Sequence, residues 1–122
     1  MAEHNEKGLK AEDIVAKYLS EQQMKILERN WRFGHKEIDI ISMDGDKLAI
    51  VEVKARSIKN AETPAELLSG QKMRHLVDAA EEYIIRNDID NDVRFDFALV
   101  LFGTEGYSID YVKDAFIPGV NW

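Results

Sequence analysis

Cysteine is absent from the 122-residue chain, which excludes disulfides, thiolate metal sites and a cysteine nucleophile together. Long hydrophobic runs are missing too: no stretch approaches the roughly 20 apolar residues of a membrane-spanning helix. The opening residues, MAEHNEKGLKAED, lack the apolar segment of a secretory signal, so a cytoplasmic location without membrane attachment is expected. There are only two prolines, Pro64 and Pro118, and no repeat, low-complexity tract or linker. A basic excess is also lacking. Sixteen Lys and Arg against 23 Asp and Glu leave a net charge of −7, which disfavours gripping nucleic acid by bulk charge alone. A local basic face remains open, because fields depend on how charges are distributed.

What is present is an ordinary globular balance, 45% hydrophobic and 32% charged, in a length that suits one domain over residues 1–122. Ala11, Ile14, Val15, Tyr18 and Leu19 recur at helical spacing and predict an amphipathic helix over residues 8–22. An irregular strand follows from Met24 to Gly34. Two β-branched runs then flank Asp44-Gly45, a hairpin signal. A polar connection, ARSIKNAETPAE, leads to one long helix carrying Leu67, Leu68, Met73, Leu76, Val77, Ala80, Tyr83 and Ile84. RFDFALVLF has the near-continuous apolar centre of a strand covered on both faces. Gly103 and Gly106 bracket a turn into YSIDYV, a last strand. The expected fold is α/β, a mixed sheet of about five strands flanked by helices.

The hairpin, EIDIISMDGDKLAIVEVKAR, carries charges that a buried strand should not. With Asp44-Gly45 as a two-residue loop, Met43 pairs with Asp46 and Asp39 lies opposite Ile50. Side chains alternate along a strand and opposed residues share a face, so Glu37, Asp39, Ile50, Glu52 and Lys54 would project together. Ile38, Ile40, Ala49, Val51 and Val53 would form the apolar face. A loop one residue longer would reverse one strand and dismantle the cluster. Two carboxylates a few Å apart repel unless a cation or proton lies between them. Mg2+ (or Mn2+) suits such a pair, taking hard oxygen ligands and completing its shell with water and phosphate. Asp39 and Glu52 are therefore candidate metal ligands, and Lys54 a candidate to orient the attacking water. A plain ion pair between Glu52 and Lys54 on a strand is the competing reading.

Asp39, twelve residues, then Glu52-Val53-Lys54 resembles the D…(D/E)xK signature of restriction-endonuclease-like nucleases. ILERNWRFGHKEIDII, LAIVEVKARS, TPAELLSGQKMRHLVDAAEEYI and VRFDFALVLF are together similar to the uncharacterised bacterial YraN-like family, from about Gly8 to Asp114. That resemblance implies the restriction-endonuclease-like fold and a nuclease-like site. More remotely the plan is similar to archaeal Holliday-junction resolvases, in which a glutamate on the first helix joins the strand carboxylates. Glu12 matches it, which implies a catalytic role beside Asp39, Glu52 and Lys54; the alternative is a solvent-facing helix glutamate. Lys36 and Ala11 stand where the family commonly has glycines.

Candidate phosphate contacts are Arg29, Arg32, Lys36, Arg56, Lys59, Lys72 and Arg74, with Arg32, Arg56, Lys72 and Arg74 in or beside the family-like blocks. Such residues position a backbone without reading bases. Trp31 could stack on a base or belong to the core. Arg94 and Asp96 read as an ion pair. The leading expectation is a metal-dependent endonuclease or nuclease-like DNA-processing protein acting on branched DNA, with the homodimer that the resolvases imply. A non-catalytic module that binds nucleic acid or recruits partners in DNA repair or recombination is the first alternative. A small structural protein whose carboxylates only pair with Lys54 is the second.

Overall fold

The computed structural model describes residues 6–60 and 62–120. Helix α1 (Glu6–Glu21) leads into strands β1 (Lys25–Phe33), β2 (Lys36–Asp44) and β3 (Lys47–Ser57). A 3-10 turn (Ile58–Asn60) and a short helix α2 (Pro64–Leu67) connect to α3 (Gly70–Asn87). Strands β4 (Asp92–Gly103) and β5 (Gly106–Val112) complete the sheet. Its order follows the chain, β1-β2-β3-β4-β5, and only the β3/β4 pair is parallel. This is the mixed five-stranded α/β arrangement expected from the sequence, consistent with a restriction-endonuclease-like architecture.

Each face of the sheet is covered by one helix. Ala11, Val15 and Leu19 pack α1 onto Ile40, Ala49, Val51, Val53, Ala98 and Val100. Met73, Leu76, Ala79, Ala80 and Tyr83 pack α3 onto Ile38, Ile41, Leu48, Ile50 and Phe95. Burial from both sides explains the unbroken apolar run in β4. No helix among the described residues is long and apolar enough to cross a membrane.

Helix ends are set by local chemistry. Gln23 adopts a left-handed conformation (φ 64°) after α1, and Met24 N donates to Leu19 O at 2.9 Å while Gln23 N donates to Ser20 O at 3.0 Å. These two bonds make a Schellman motif without glycine, and Met24 joins the core beside Leu19. The single long helix expected before β4 is in fact two. Thr63 caps α2 in a capping box with Glu66, Leu68 is extended (φ −102°, ψ 97°), and Ser69 caps α3 by accepting from Lys72 N at 3.1 Å. The apolar periodicity ran through both helices because Leu68 packs against the same core as α3; the break is a matter of caps.

The hairpin also differs from expectation. Asp44 pairs with Lys47, so the loop is Gly45-Asp46, with Gly45 at φ 62°. Ile50 faces Ile41, and one further step of that register brings Asp39 opposite Glu52. The slip is an even number of residues, so both side chains keep the face that the sequence predicted. The ladder stops at Ile40–Val51, because Val53 N donates to the Asp39 side chain, Oδ2, at 2.8 Å. Strict alternation also fails here: Ile38 packs with the α3-side core and Ile40 with the α1-side core, so the expected pairing of these two on one face is corrected. β1 is irregular alongside, with a register shift between Ile26 and Glu28 and Asn30 at φ 54°.

Candidate active site

Glu52 sits on β3, paired with Phe97 of β4 on one side and just beyond the end of the β2–β3 ladder on the other. It is 2% exposed, on the face covered by α3. Its Oε2 lies 3.2 Å from Lys72 Nζ and 3.7 Å from Lys54 Nζ. Its Oε1 is buried without a hydrogen-bond partner among the described residues. Burial pushes the Glu52 carboxyl up to about 8, with the neighbouring Asp39 charge adding to the rise and Lys72 and Lys54 opposing it. Asp39 is half-buried, and the Val53 amide fixes one of its oxygens. The like charge of Asp39 makes ionising Glu52 costlier, and Lys72 and Lys54 offset part of that cost.

Those residues fit a divalent metal in one respect and limit it in another. An unpartnered buried oxygen beside a second carboxylate is a donor set that Mg2+ or Mn2+ would accept, with the remaining positions left to water and phosphate. A third protein ligand is not supplied: among the described residues no three His, Asp or Glu side chains are grouped closely enough to hold a metal.

Glu12 is buried on α1, 5% exposed, which removes the solvent-facing alternative. Arg29 lies 3.9 Å from its Oε1 and forms a tighter pair with Asp13 at 2.8 Å. The structure therefore gathers Asp39, Glu52, Lys54 and Lys72, and does not gather Glu12 with them into a set of three ligands.

The other sequence candidates are placed as follows. Arg32, exposed, pairs with Glu37 at 3.5 Å across the β1–β2 ladder. Arg56 donates to its neighbour Ala55 O at 2.8 Å and reaches Glu62 at 3.5 Å. Arg74 is exposed in the second turn of α3, Lys59 is exposed, and Lys36 pairs with Asp78 at 2.9 Å. Trp31 belongs to the core: its ring meets Tyr83 edge-on at 5.2 Å and lies under the Arg86 guanidinium at 5.7 Å. Arg94 and Asp96 do form an ion pair, and a larger one than expected. Arg94 Nε and Nη2 bond both Asp96 oxygens at 2.8 and 2.9 Å, and its Nη1 reaches Asp44 at 2.8 Å. Tyr111 donates to Asp96 Oδ2 at 2.6 Å. Arg94 holds the Asp44 carboxyl below its usual range, and burial pushes the Tyr111 phenol up. This network ties the hairpin tip to β4 and β5 on the α1 side of the sheet, away from Glu52.

Two features escaped the sequence reading. Lys72 was expected to meet phosphate; its direct contact with Glu52 depends on the Ser69 cap, which starts α3 three residues earlier. His75 was not singled out, and its ring meets that of His35 edge-on at 5.6 Å, joining the β1–β2 turn to α3.

Fold and site together define a mixed α/β domain whose β2–β3 ladder ends beside a buried glutamate and a half-buried aspartate, with two lysines against the glutamate. The chain belongs to the uncharacterised protein family UPF0102, whose family model matches residues 11–100. A UPF0102 protein of Bacteroides fragilis is 42% identical over 118 residues, covering 97% of this chain and 98% of the relative. One from Bacteroides thetaiotaomicron is also 42% identical with the same coverage, and one from Flavobacterium psychrophilum is 40% identical over 95% of this chain and 98% of its own length.

Proposed function

We propose that this chain is a metal-dependent phosphodiesterase acting on nucleic acid, an endonuclease-like protein of DNA processing with branched DNA as its substrate. The observation that carries the reading is Glu52: a fully buried carboxylate whose Oε1 has no hydrogen-bond partner among the described residues, set beside Asp39 and facing two lysines. A carboxylate serving only structure would be expected to have both oxygens satisfied, since an unmet buried acceptor costs about 1–3 kcal/mol. Asp39 and Glu52 would hold Mg2+ or Mn2+, which when bound would polarise a phosphate and acidify a water. Lys54, about one-third exposed at the end of the cluster, would hold that water or steady charge developing on the phosphate. The Val53 amide fixes Asp39 before substrate arrives, so little reorganisation is needed at the carboxylates. Glu12 would act from α1 only if its hold on Arg29 were exchanged for the site.

The test is cleavage of labelled single-stranded, duplex, flapped and four-way-junction DNA, with matching RNA, in Mg2+, Mn2+ or EDTA. Metal-dependent cutting that is lost in an Asp39→Ala/Glu52→Ala double variant supports the reading. Folded protein that cuts none of these substrates refutes it.

One observation favours a second reading, a non-catalytic module that binds nucleic acid or recruits partners in DNA repair or recombination. Arg29, Arg32, Lys36 and Arg56 are all tied to the chain's own carboxylates, and the net charge is −7. Four of the candidate phosphate contacts are thus already engaged, which on this reading makes a partner part of tight binding. Retention of a branched substrate without cutting, by the protein alone or with a co-purified partner, would favour this reading. A homodimer would be one such arrangement, read out by light scattering.

A further inference from the structure

Lys72 and Lys54 both face Glu52, yet they are not equivalent. Lys54 follows Glu52 on the same strand, pointing the same way, and lies 3.7 Å from Oε2. Lys72 comes from another element and lies closer, at 3.2 Å from the same oxygen. Its backbone is held by the Ser69 cap at 3.1 Å, and the next residue, Met73, is buried in the core. Its side chain, by contrast, is about one-third exposed, with four rotatable carbons between an anchored backbone and a mobile ammonium. Such a side chain can leave Glu52 for solvent or for an incoming phosphate without moving α3.

We infer that Lys72 is a positioning residue that stands in the divalent cation's place against Glu52, is displaced when metal binds, and then serves the substrate phosphate. The inference rests on the reading of Asp39 and Glu52 as a cation site. With Asp39 and Glu52 counted as ionised, their two negative charges are balanced by Lys54 and Lys72. A divalent ion entering beside Oε1 and Asp39 makes that cluster strongly positive, and the repulsion bears on Lys72, the ammonium that lies nearer Glu52. The displaced Lys72 then lies on the first turn of α3, facing the solvent from which a phosphodiester would arrive. Lys72 thus lowers the affinity of the empty site for metal and raises the affinity of the metal-loaded site for nucleic acid. A lysine with a purely structural role would do neither.

The experiment measures Mn2+ binding by electron paramagnetic resonance at pH 8.5 under argon, where proton competition for Glu52 is small. The proteins are wild type, Lys72→Met, Lys72→Arg and Glu52→Gln, each first checked for folding by circular dichroism. Binding of a four-way DNA junction is measured in Ca2+ over a salt series. Lys72→Met is expected to bind Mn2+ about ten-fold more tightly, the equivalent of about 1.4 kcal/mol. It should bind the junction more weakly, with the salt slope reduced by about one. Lys72→Arg should stay close to wild type in both. If wild type binds Mn2+ through Glu52 but Lys72→Met binds it equally or less tightly, the inference falls while the metal reading stands. If neither wild type nor Lys72→Met binds Mn2+, or if Glu52→Gln binds it as well as wild type, the metal reading falls and takes the inference with it. Mn2+ binding that appears only in Lys72→Met supports the inference most directly.

Discussion

Replacing Glu52 by Gln should make the metal-free protein more stable at neutral and alkaline pH, an unusual outcome for a substitution in a fully buried position. The carboxyl is pushed from an ordinary 4.5 to about 8 in the folded state, chiefly by burial and secondly by Asp39. Between those two values the unfolded chain has released the proton and the folded chain still holds it. The folded state therefore binds more protons, and stability falls as pH rises through the window, by at most about 1.4 kcal/mol per unit. Over the whole window this amounts to about 3–5 kcal/mol, fully spared below pH 4.5 and fully lost above pH 8. Glutamine is nearly isosteric with the neutral acid, and its amide can donate toward Asp39 as the shared proton does. Urea unfolding in EDTA from pH 4 to pH 9 would measure the difference. Glu52→Gln should match wild type near pH 4 and exceed it by about 3 kcal/mol or more at pH 8.5. A variant less stable than wild type at pH 8.5 would refute the reasoning. It would mean that Lys54 and Lys72 hold the carboxylate ionised and that the pair is structural. Stability surrendered at a position that folding alone would fill with an apolar residue is the pattern of a site kept for chemistry.

Mn2+ present at about 100 times its dissociation constant should stabilise wild type by about 2.7 kcal/mol, and Asp39→Asn should abolish the thermal shift. Lys54→Met should retain that shift while losing cleavage, which separates assistance to the water from metal binding. Arg94→Leu should cost about 3–5 kcal/mol by urea unfolding, because it leaves Asp96 buried beside Asp44 without a counter-charge. Leu76→Ala, beneath α3, should cost about 2–5 kcal/mol and leave metal binding unchanged.

The parts of the fold legible in the sequence were those with a single periodicity. The α1 stripe, the five strands and the Gly103–Gly106 turn all appear where spacing and turn chemistry put them. Boundaries decided by caps were not legible. Leu67 and Leu68 continue a helical pattern, and only the extended backbone at Leu68 with Ser69 accepting from Lys72 N divides the helix. The hairpin register was misplaced by one pairing step because Asp44-Gly45 and Gly45-Asp46 are equally good turn pairs. What decides between them is outside the hairpin: Asp44 is held by Arg94 and Lys113, which keeps it in the strand and out of the loop.

That detail bears on how the candidate site is built. The Arg94 network fixes Asp44 at the far end of β2, and the register then runs from Asp44–Lys47 to Ile40–Val51. Beyond it the ladder breaks, and the Val53 amide turns to the Asp39 side chain in place of a backbone carbonyl. An even slip preserves the face, but alternation breaks between Ile38 and Ile40, so the nearness of Asp39 to Glu52 was legible only in part. The slip that carries Asp39 from Ile50 toward Glu52 was not legible, because it depends on Arg94, more than forty residues from Glu52 in sequence. The structural ion network and the strained acid pair lie on opposite faces of one sheet and are joined by a single hairpin register. Buried charge is fully satisfied where it sets that register and left unsatisfied where the register delivers Glu52. On the proposed reading, the demand left at Glu52 Oε1, beside Asp39 and two lysines that meet it only in part, is what a bound cation would satisfy.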